Sequence, residues 1–384
     1  MIDFIAIVLI FLLVYPFAIY PIVLAVSSFL FAKPLWYDYE YQPEVSVLIA
    51  AHNEEDYIID CINSIINLDY PKNKIRVLVG SDGSTDRTNA ILEQFKTENK
   101  INLDYFIYDR VGKNSVINNL VKEVKTDLIF FLDADHRFSE NVFIETLKYF
   151  VNDEVGATMV PFKYGQKSMQ QNTGSRGETF YQLYEDFLRD KESEIGTVVN
   201  AMGTYCIRRN LLDPIHNSKL ADDSFNILNV GKKGKRVIFV KNILIYEVRD
   251  KTLKDEMFRR ERTFSGGFST LYFMDLIYKV PKDWFSFFVF SHKLFRYFAP
   301  VLIIMLIMLS FVLSKSTFIG AFTIYSLVLF FSFAFIGFVL SKLKIYSFIF
   351  QAPLFFLTLM IGYVLGFQKF VSGNFSSKWS HTSK

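Results

Sequence analysis

Apolar and polar positions divide the chain into three zones. Residues 4–32 carry no charged side chain, and 298–314, 317–340 and 345–366 are almost purely apolar. Each is long enough, or nearly so, to cross about 30 Å of hydrocarbon as a helix. Between them lie short apolar runs that stop at polar clusters. Val45–Ala51 ends at His52-Asn53-Glu54-Glu55, Ile75–Val79 at Gly80–Asp86, and Leu128–Leu132 at Asp133-Ala134-Asp135, while Leu103–Tyr108 leads to Gly112-Lys113. Runs bounded in this way read as buried strands. Helical spacing separates them: Ile58, Ile59, Ile62, Ile65 and Ile66; a stretch from about Arg87 to Lys96; Val116, Ile117, Leu120 and Val121; and Val142, Phe143 and Leu147 after Ser139 as cap. The alternation predicts an α/β fold, a mostly parallel sheet with helices on both faces. Ligands of such sheets bind at the carboxyl ends of the strands, where these polar clusters fall.

The pattern sets the domain boundaries. Residues 1–32 read as an N-terminal transmembrane helix that Pro16 and Pro21 kink, and 40–280 as a polar domain. Residues 281–297 read as an amphipathic interfacial helix carrying Lys293 and Arg296, and 298–384 as a C-terminal region of about three transmembrane helices.

Composition follows from this layout. The hydrophobic share of 51% is heavy for a soluble enzyme and is explained by the apolar zones. Every carboxylate except Asp3 lies between them. Lys33, Lys279, Lys282, Lys293 and Arg296 flank the polar domain, and Lys342 and Lys344 follow the third span. The positive-inside rule therefore predicts an integral protein of the plasma (inner) membrane with its polar domain cytoplasmic. Lys369, Lys378 and Lys384 run against the rule for the last span. A net charge of +3 gives no nucleic-acid footprint. Cys61 and Cys206 are expected reduced and buried. The spans offer Ser, Thr, Tyr and Gln351 but no ionisable relay, which argues against transport as the main function.

Asp133 and Asp135 carry the first chemical signal. Strand alternation puts both carboxylates on one side, where they repel unless a cation lies beside them. A divalent metal carrying a phosphate is such a cation; a solvated turn is the alternative. Other motifs fail. Gly112-Lys113 is followed by Asn114, and residue 107 is Ile, so there is no P-loop. Asp82–Asp86 lacks the turn glycine of a calcium loop, where Arg87 stands. A hydroxyl residue is missing at Arg137 for an aspartyl-phosphate enzyme, no nucleophile elbow appears, and the histidines have no zinc-ligand spacing.

Taken in order, these residues resemble the family 2 glycosyltransferases, specifically the membrane-integrated branch that includes cellulose, chitin and hyaluronan synthases. The resemblance runs from about Val45 to Arg296. It implies a GT-A type, Rossmann-like nucleotide-diphospho-sugar transferase domain flanked by transmembrane helices. Ser46–Glu55, with Asn53 and Glu54, looks like the nucleotide-binding first strand, and Asp82 like the aspartate that reads the nucleobase. Lys113 matches a lysine near the nucleotide, and Asp133 and Asp135 match the Asp-x-Asp that holds Mg2+ or Mn2+, with Asp133 on ribose or metal. Gly203–Arg209 resembles a segment lining the acceptor side, and Asp223 of Ala221-Asp222-Asp223 matches the catalytic base of Thr-Glu-Asp. Arg259-x-x-Arg262-Thr263 stands where the family has Gln-x-x-Arg-Trp, with Arg262 and Lys113 as cations for the diphosphate, and Ser291–Arg296 resembles the interfacial helix.

The implied function is an inverting, metal-dependent transfer of a sugar from a nucleotide diphospho-sugar, with uridine expected, to a lipid-linked or glycan acceptor. It would take place against membrane lipid, in cell-envelope or extracellular polysaccharide synthesis. The alternative is a processive polysaccharide synthase that also translocates its polymer. Thr263 in place of Trp weighs against processivity, because that Trp helps hold the polymer end. Plainer readings stand beside these. Asp222-Asp223-Ser224 caps a helix at Phe225–Val230, Asn53-Glu54 is an N-cap pair, and Arg259–Arg262 is a solvated face or a basic patch on anionic lipid.

Overall fold

The computed structural model describes residues 2–98, 102–164, 174–216, 220–247, 253–313, 317–343, 345 and 347–373. Lys344, Lys378 and Lys384, used above for topology, lie outside them. In chain order, α1 (Ile2–Val14) and α2 (Tyr20–Phe31) are followed by β1 (Val45–Ala51), α3 (Ile58–Ile66), β2 (Ile75–Asp82), α4 (Thr88–Glu98), β3 (Leu103–Tyr108), α5 (Lys113–Glu123) and β4 (Leu128–Phe131). Then come β5 (His136–Phe138), α6 (Val142–Leu147), β6 (Val155–Met159), β7 (Phe162–Tyr164), α7 (Gly174–Ile195), β8 (Tyr205–Arg208), α8 (Asp222–Lys232), β9 (Arg236–Phe239) and β10 (Ile245–Glu247). The last helices are α9 (Leu253–Phe273), α10 (Trp284–Phe288), α11 (Phe295–Leu313), α12 (Phe318–Lys342) and α13 (Phe348–Ser372).

The chain forms two compact units. One holds Phe31–Gly165 and Arg189–Asp250; the other holds Met1–Leu30, Gln166–Leu188 and Lys251–Phe375. The first is built on a seven-stranded sheet of order β3-β2-β1-β4-β8-β6-β9, with a three-stranded sheet, β5-β10-β7, beside it. β1 pairs in parallel with β2 and β4, and β2 with β3, as the alternation predicts. β8 runs antiparallel to both its neighbours, β4 and β6. That brings the residues before Tyr205 to the carboxyl end of β4, because Phe131 pairs with Tyr205.

Both sheet faces are covered, which is why the strands read as unbroken apolar runs. Val45, Val47, Ile49, Leu128 and Phe130 pack on one face with Phe143 and Ile62. Leu48, Leu78, Ile129 and Phe131 pack on the other with Val116, Leu120 and Tyr205. Fully buried side chains of the size of Phe130 stabilise by about 1.5–3 kcal/mol each. Ser46, buried in β1, is satisfied by the Thr126 hydroxyl at 2.9 Å. Ser139 is not the cap of α6. Asn141 holds that place, with no side-chain cap bond, while the Ser139 hydroxyl donates to Leu244 O at 2.7 Å. The small sheet that carries Ile245 draws it away.

Among the described residues, four helices are long and apolar enough to cross a membrane: Asp3–Phe31, Trp284–Val312, Phe318–Lys342 and Phe348–Ser372. Proline removes backbone donors in the first. The helix widens to a π turn over Tyr15–Ile19, where Tyr20 N–H reaches Tyr15 O. Pro21 leaves the Phe17 carbonyl without its helical donor, and the Tyr184 hydroxyl of α7 takes it at 3.1 Å. The next residue, Glu185, is buried against His292 Nε2 at 3.0 Å and against the Arg296 guanidinium. The stretch expected as an interfacial helix thus runs from α10 through a π turn, Val289–Leu294, into α11, with His292, Lys293 and Arg296 buried. α9 packs closely on α13, where Gly362 and Gly366 leave room. A Cβ at Gly362 would lie 2.8 Å from Arg260 Cβ, and one at Gly366 2.6 Å from the Phe264 ring. The described residues 174–188 and 253–280 group with these apolar helices in the second unit.

Candidate active site

The site is assembled at the carboxyl edge of β1, β2 and β4. Leu132 N–H still pairs with Leu48 O at 3.1 Å, and then the chain turns, His136 N–H closing on Asp133 O at 3.0 Å. Strand alternation is therefore not what gathers the carboxylates, since the extended conformation ends at Phe131. The turn brings a carboxylate oxygen from each of Asp133 and Asp135, and a ring nitrogen of His136, within 4.8 Å of one another. His136 Nδ1 meets the Thr204 hydroxyl at 2.7 Å. Gly203 lies so close that a Cβ there would stand 2.7 Å from Asp133 Oδ2. From below, the buried Cys61 thiol donates to Asp133 O at 3.7 Å.

Two carboxylates and an imidazole suit Mg2+ or Mn2+, with coordination positions left over for phosphate oxygens. Asp133 and Asp135 were read from the sequence; His136 was not. Its signal was adjacency to Asp135, which a search for zinc-type histidine spacing passes over. Thr204 came only from the antiparallel return of β8. Within Gly203–Arg209 the roles divide. Arg208 donates to Val155 O at 2.8 Å and Phe150 O at 2.6 Å, and Arg209 to Val124 O at 2.9 Å, so both arginines anchor the sheet.

At the ends of β1 and β2 the loops lock together. Asp82 is 1% exposed, and both its carboxylate oxygens accept from Gly112 N–H at 3.1 Å. Arg110 Nη1 lies 3.6 Å from the same carboxylate. Asn53 Oδ1 accepts from Thr85 N–H at 2.8 Å, and Glu54 N–H donates to the Thr88 hydroxyl at 2.9 Å. α3 begins at Ile58 after Tyr57, and the Glu54 carbonyl accepts from Tyr57 N–H at 3.0 Å and Ile58 N–H at 2.9 Å. Asn53 (φ 54°) and Arg110 (φ 53°) sit in the left-handed region, as does Gly112 (φ 91°). Such strain clusters at sites that must hold a shape.

Lys113, the first residue of α5, joins the Asp133–His136 turn to α8. Its Nζ is 3.0 Å from Asp133 Oδ1 and 3.3 Å from Asp222 Oδ2. Burial pulls the ammonium down, but Asp133, Asp222 and Asp223 outweigh it and hold Lys113 well above the ordinary lysine range. Asp222 and Asp223 form the first turn of α8, where the helix dipole favours them. Neither is the N-cap; Ala221 is. Asp223 Oδ1 accepts from Ser224 N–H at 2.6 Å, and Asn226 ties the same helix to the Tyr205 hydroxyl at 2.7 Å. Asp82, Lys113, Asp133, Asp135 and Asp223 thus belong to one edge of one unit. Arg262 belongs to the other unit, exposed on α9.

Comparison with known proteins agrees with this architecture. The profile of Glycosyl transferase family 2 matches residues 46–215. The probable glycosyltransferase YdaM of Bacillus subtilis is 26% identical over 274 residues, which cover 68% of this chain and 64% of that protein. Beta-monoglucosyldiacylglycerol synthase of Nostoc sp. is 26% identical over 198 residues, 48% of this chain and 40% of that one. The chain thus spans less than two thirds of the length of these relatives. Among solved structures, the mannosyltransferase PcManGT of Pyrobaculum calidifontis, in complex with GDP-Man and Mn2+, superposes with a TM-score of 0.75. The match is 17% identical and covers 97% of this chain and 99% of that one. The fold is the GT-A type that the resemblance implied, with four candidate membrane-spanning helices among the described residues.

Proposed function

We propose that this chain, whose residues 46–215 are a family 2 glycosyltransferase domain, moves one sugar from a nucleotide diphospho-sugar to an acceptor hydroxyl at the membrane, with inversion. The observation that carries the reading is Lys113. It links the metal turn to the first turn of α8, so the groups for a departing diphosphate and for an attacking hydroxyl share one edge. Asp223 accepts the proton of the acceptor hydroxyl. The freed oxygen attacks the anomeric carbon opposite the diphosphate, and the breaking C–O bond leaves its electron pair on the diphosphate. Lys113 stabilises that charge. Asp82 and the Asn53-Glu54 loop hold the nucleoside. Asp135, Asp133 and His136 would hold Mg2+ or Mn2+, which when bound neutralises developing charge on the leaving group.

The acceptor is a lipid-linked or glycan hydroxyl. Support comes from the four apolar helices and from the lipid-glycosylating name of the Nostoc relative. Lys33, Lys279 and Lys282 beside the apolar helices support a cytoplasmic side of an inner membrane for the catalytic unit, by the positive-inside rule. The reading is tested by nucleotide release from UDP- and GDP-sugars in native membranes, with lipid and glycan products weighed by mass spectrometry. Asp223→Asn should lower turnover by about 10²–10⁴-fold, the usual contribution of a general base, while nucleotide affinity stays within error. Unchanged turnover removes Asp223 from its role.

A further inference from the structure

The segment between the first apolar helix and β1 is bound to the catalytic unit along its length. Lys33 N–H donates to Glu194 O at 2.8 Å, and Asp38 N–H to Lys148 O at 3.2 Å. The buried Arg236 donates to Lys33 O at 3.1 Å, and its other donors hold Gly196 O and Ser193 O. Farther on, Lys74 Nζ donates to Gln42 O at 2.6 Å. In the middle lies an aromatic cage. Lys148, 4% exposed, points its ammonium at the rings of Tyr39, Tyr37 and Tyr149, with centroids at 4.2, 4.5 and 5.2 Å. The Tyr39 hydroxyl at 2.8 Å and Glu145 at 2.7 Å complete it. A cation so far from water is held by ring quadrupoles and one carboxylate.

The outer side of this segment is exposed. Trp36 is 61% exposed, and Lys33 and Pro34 are exposed beside it. Trp36 follows the end of the apolar helix, Phe31, by five residues, and even fully extended such a stretch reaches only about 18 Å. Single exposed aromatics are common on any surface. Here a Trp with a Lys and two tyrosines emerges directly from a span, which is the composition of the headgroup layer.

We propose that Lys33–Tyr39 is a rigid membrane-interface strap. Trp36 enters the headgroup layer of a phospholipid bilayer, and the Lys148 cage and Arg236 fix the face of the catalytic unit bearing α6 and β9 against that layer. The inference rests on reading Asp3–Phe31 as a span. It goes beyond the reaction by giving the domain a set face toward the bilayer.

The test uses the full chain in phosphatidylcholine nanodiscs. Its three tryptophans are Trp36, Trp284 and Trp379. A protein keeping only Trp36 (Trp284→Phe with Trp379→Phe) is compared with one keeping only Trp284 (Trp36→Phe with Trp379→Phe). The quencher is a lipid with a nitroxide on its headgroup. Trp36 should lose most of its emission to that lipid. Quenching of Trp36 by aqueous iodide but not by the nitroxide lipid, with Trp284 quenched by lipid, overturns the strap and leaves the spans standing. Failure of lipid to quench either tryptophan overturns the membrane reading as well. Rigidity has its own readout. Lys148→Met should lower Trp36 fluorescence anisotropy without altering that of Trp284, and Lys148→Arg should keep it. Equal anisotropy in all three proteins overturns the fixing role of the cage.

Discussion

Position 203 faces Asp133 across a gap that admits no side chain. With a Cβ 2.7 Å from Asp133 Oδ2, Gly203→Ala must move the carboxylate or the loop. The metal should then bind about 10–100-fold more weakly, as when a ligand's supporting contact is lost. Electron paramagnetic resonance of free Mn2+ in a titration reads this directly, and an unchanged affinity would separate Asp133 from the metal. Lys113 makes a prediction in pH. Its folded pKa is raised, so its ion pairs stabilise fully below the unfolded value of about 10.4 and fade only as pH rises through the higher folded value. An alkaline limb in kcat/KM below pH 10 therefore cannot come from Lys113, and Lys113→Arg should leave that limb where it is. Lys113→Met strips Asp133, Asp222 and Asp223 of their cation. Carboxylates that lose an opposite charge bind protons more readily, so the acid limb should move to higher pH; a limb that stays put would mean that the base does not feel Lys113. At this scale Asp133 and Asp135 could be singled out where an apolar run stops, Asp82, Lys113 and Asp223 through the family resemblance, and all five fall along one edge of one unit. The sequence did not show His136, Thr204 or the bridge to Asp222. Those depend on which distant segments become neighbours, and spacing along the chain carries no record of that.

The elements that could be read from the pattern were the ones with enough residues to repeat it. β1, β2 and β4 are buried on both faces and bounded by polar clusters, so their apolar runs are unambiguous, while β3, at the sheet edge, is only half-buried. β5, β7 and β10 have three residues each and no measurable period. They exist because the small sheet pairs them, and the antiparallel β8 likewise owes its place to pairing with β4 and β6. The pattern assigned no element between 164 and 203, yet α7 lies there, and its Glu185 is a central tie of the second unit. Glu185 faces His292 and Arg296 with almost no exposure on any of the three. Removing one partner of a buried pair leaves the other charge unpaired and costs about 3–5 kcal/mol. Glu185→Ala should therefore lower the thermal midpoint in detergent sharply. Glu185→Gln, which keeps the shape but not the charge, should fall between. A midpoint equal to wild type would show that Arg296 finds another counter-charge.

For the whole molecule the open choice is between adding one sugar and extruding a polymer. A processive enzyme must grip its product between transfers and give it a path out. The family pattern supplies a tryptophan for the grip, and here Thr263 stands in its place, exposed on α9. A path for a hydrated chain needs polar groups turned toward a lumen. Among the described residues of α12 and α13, the buried Gln351 donates to Gly337 O at 3.1 Å. The hydroxyls of Thr323 and Thr358 bond back to Ile319 O and Leu354 O at 2.7 and 2.9 Å. Side chains that satisfy helix carbonyls in this way leave little polarity for a passing glycan. We expect a single added sugar. With donor in large excess, the acceptor should gain one hexose or N-acetylhexosamine mass and stop. A ladder of masses spaced by one sugar would instead establish chain extension, and would mean that the grip lies outside the Arg259–Thr263 segment.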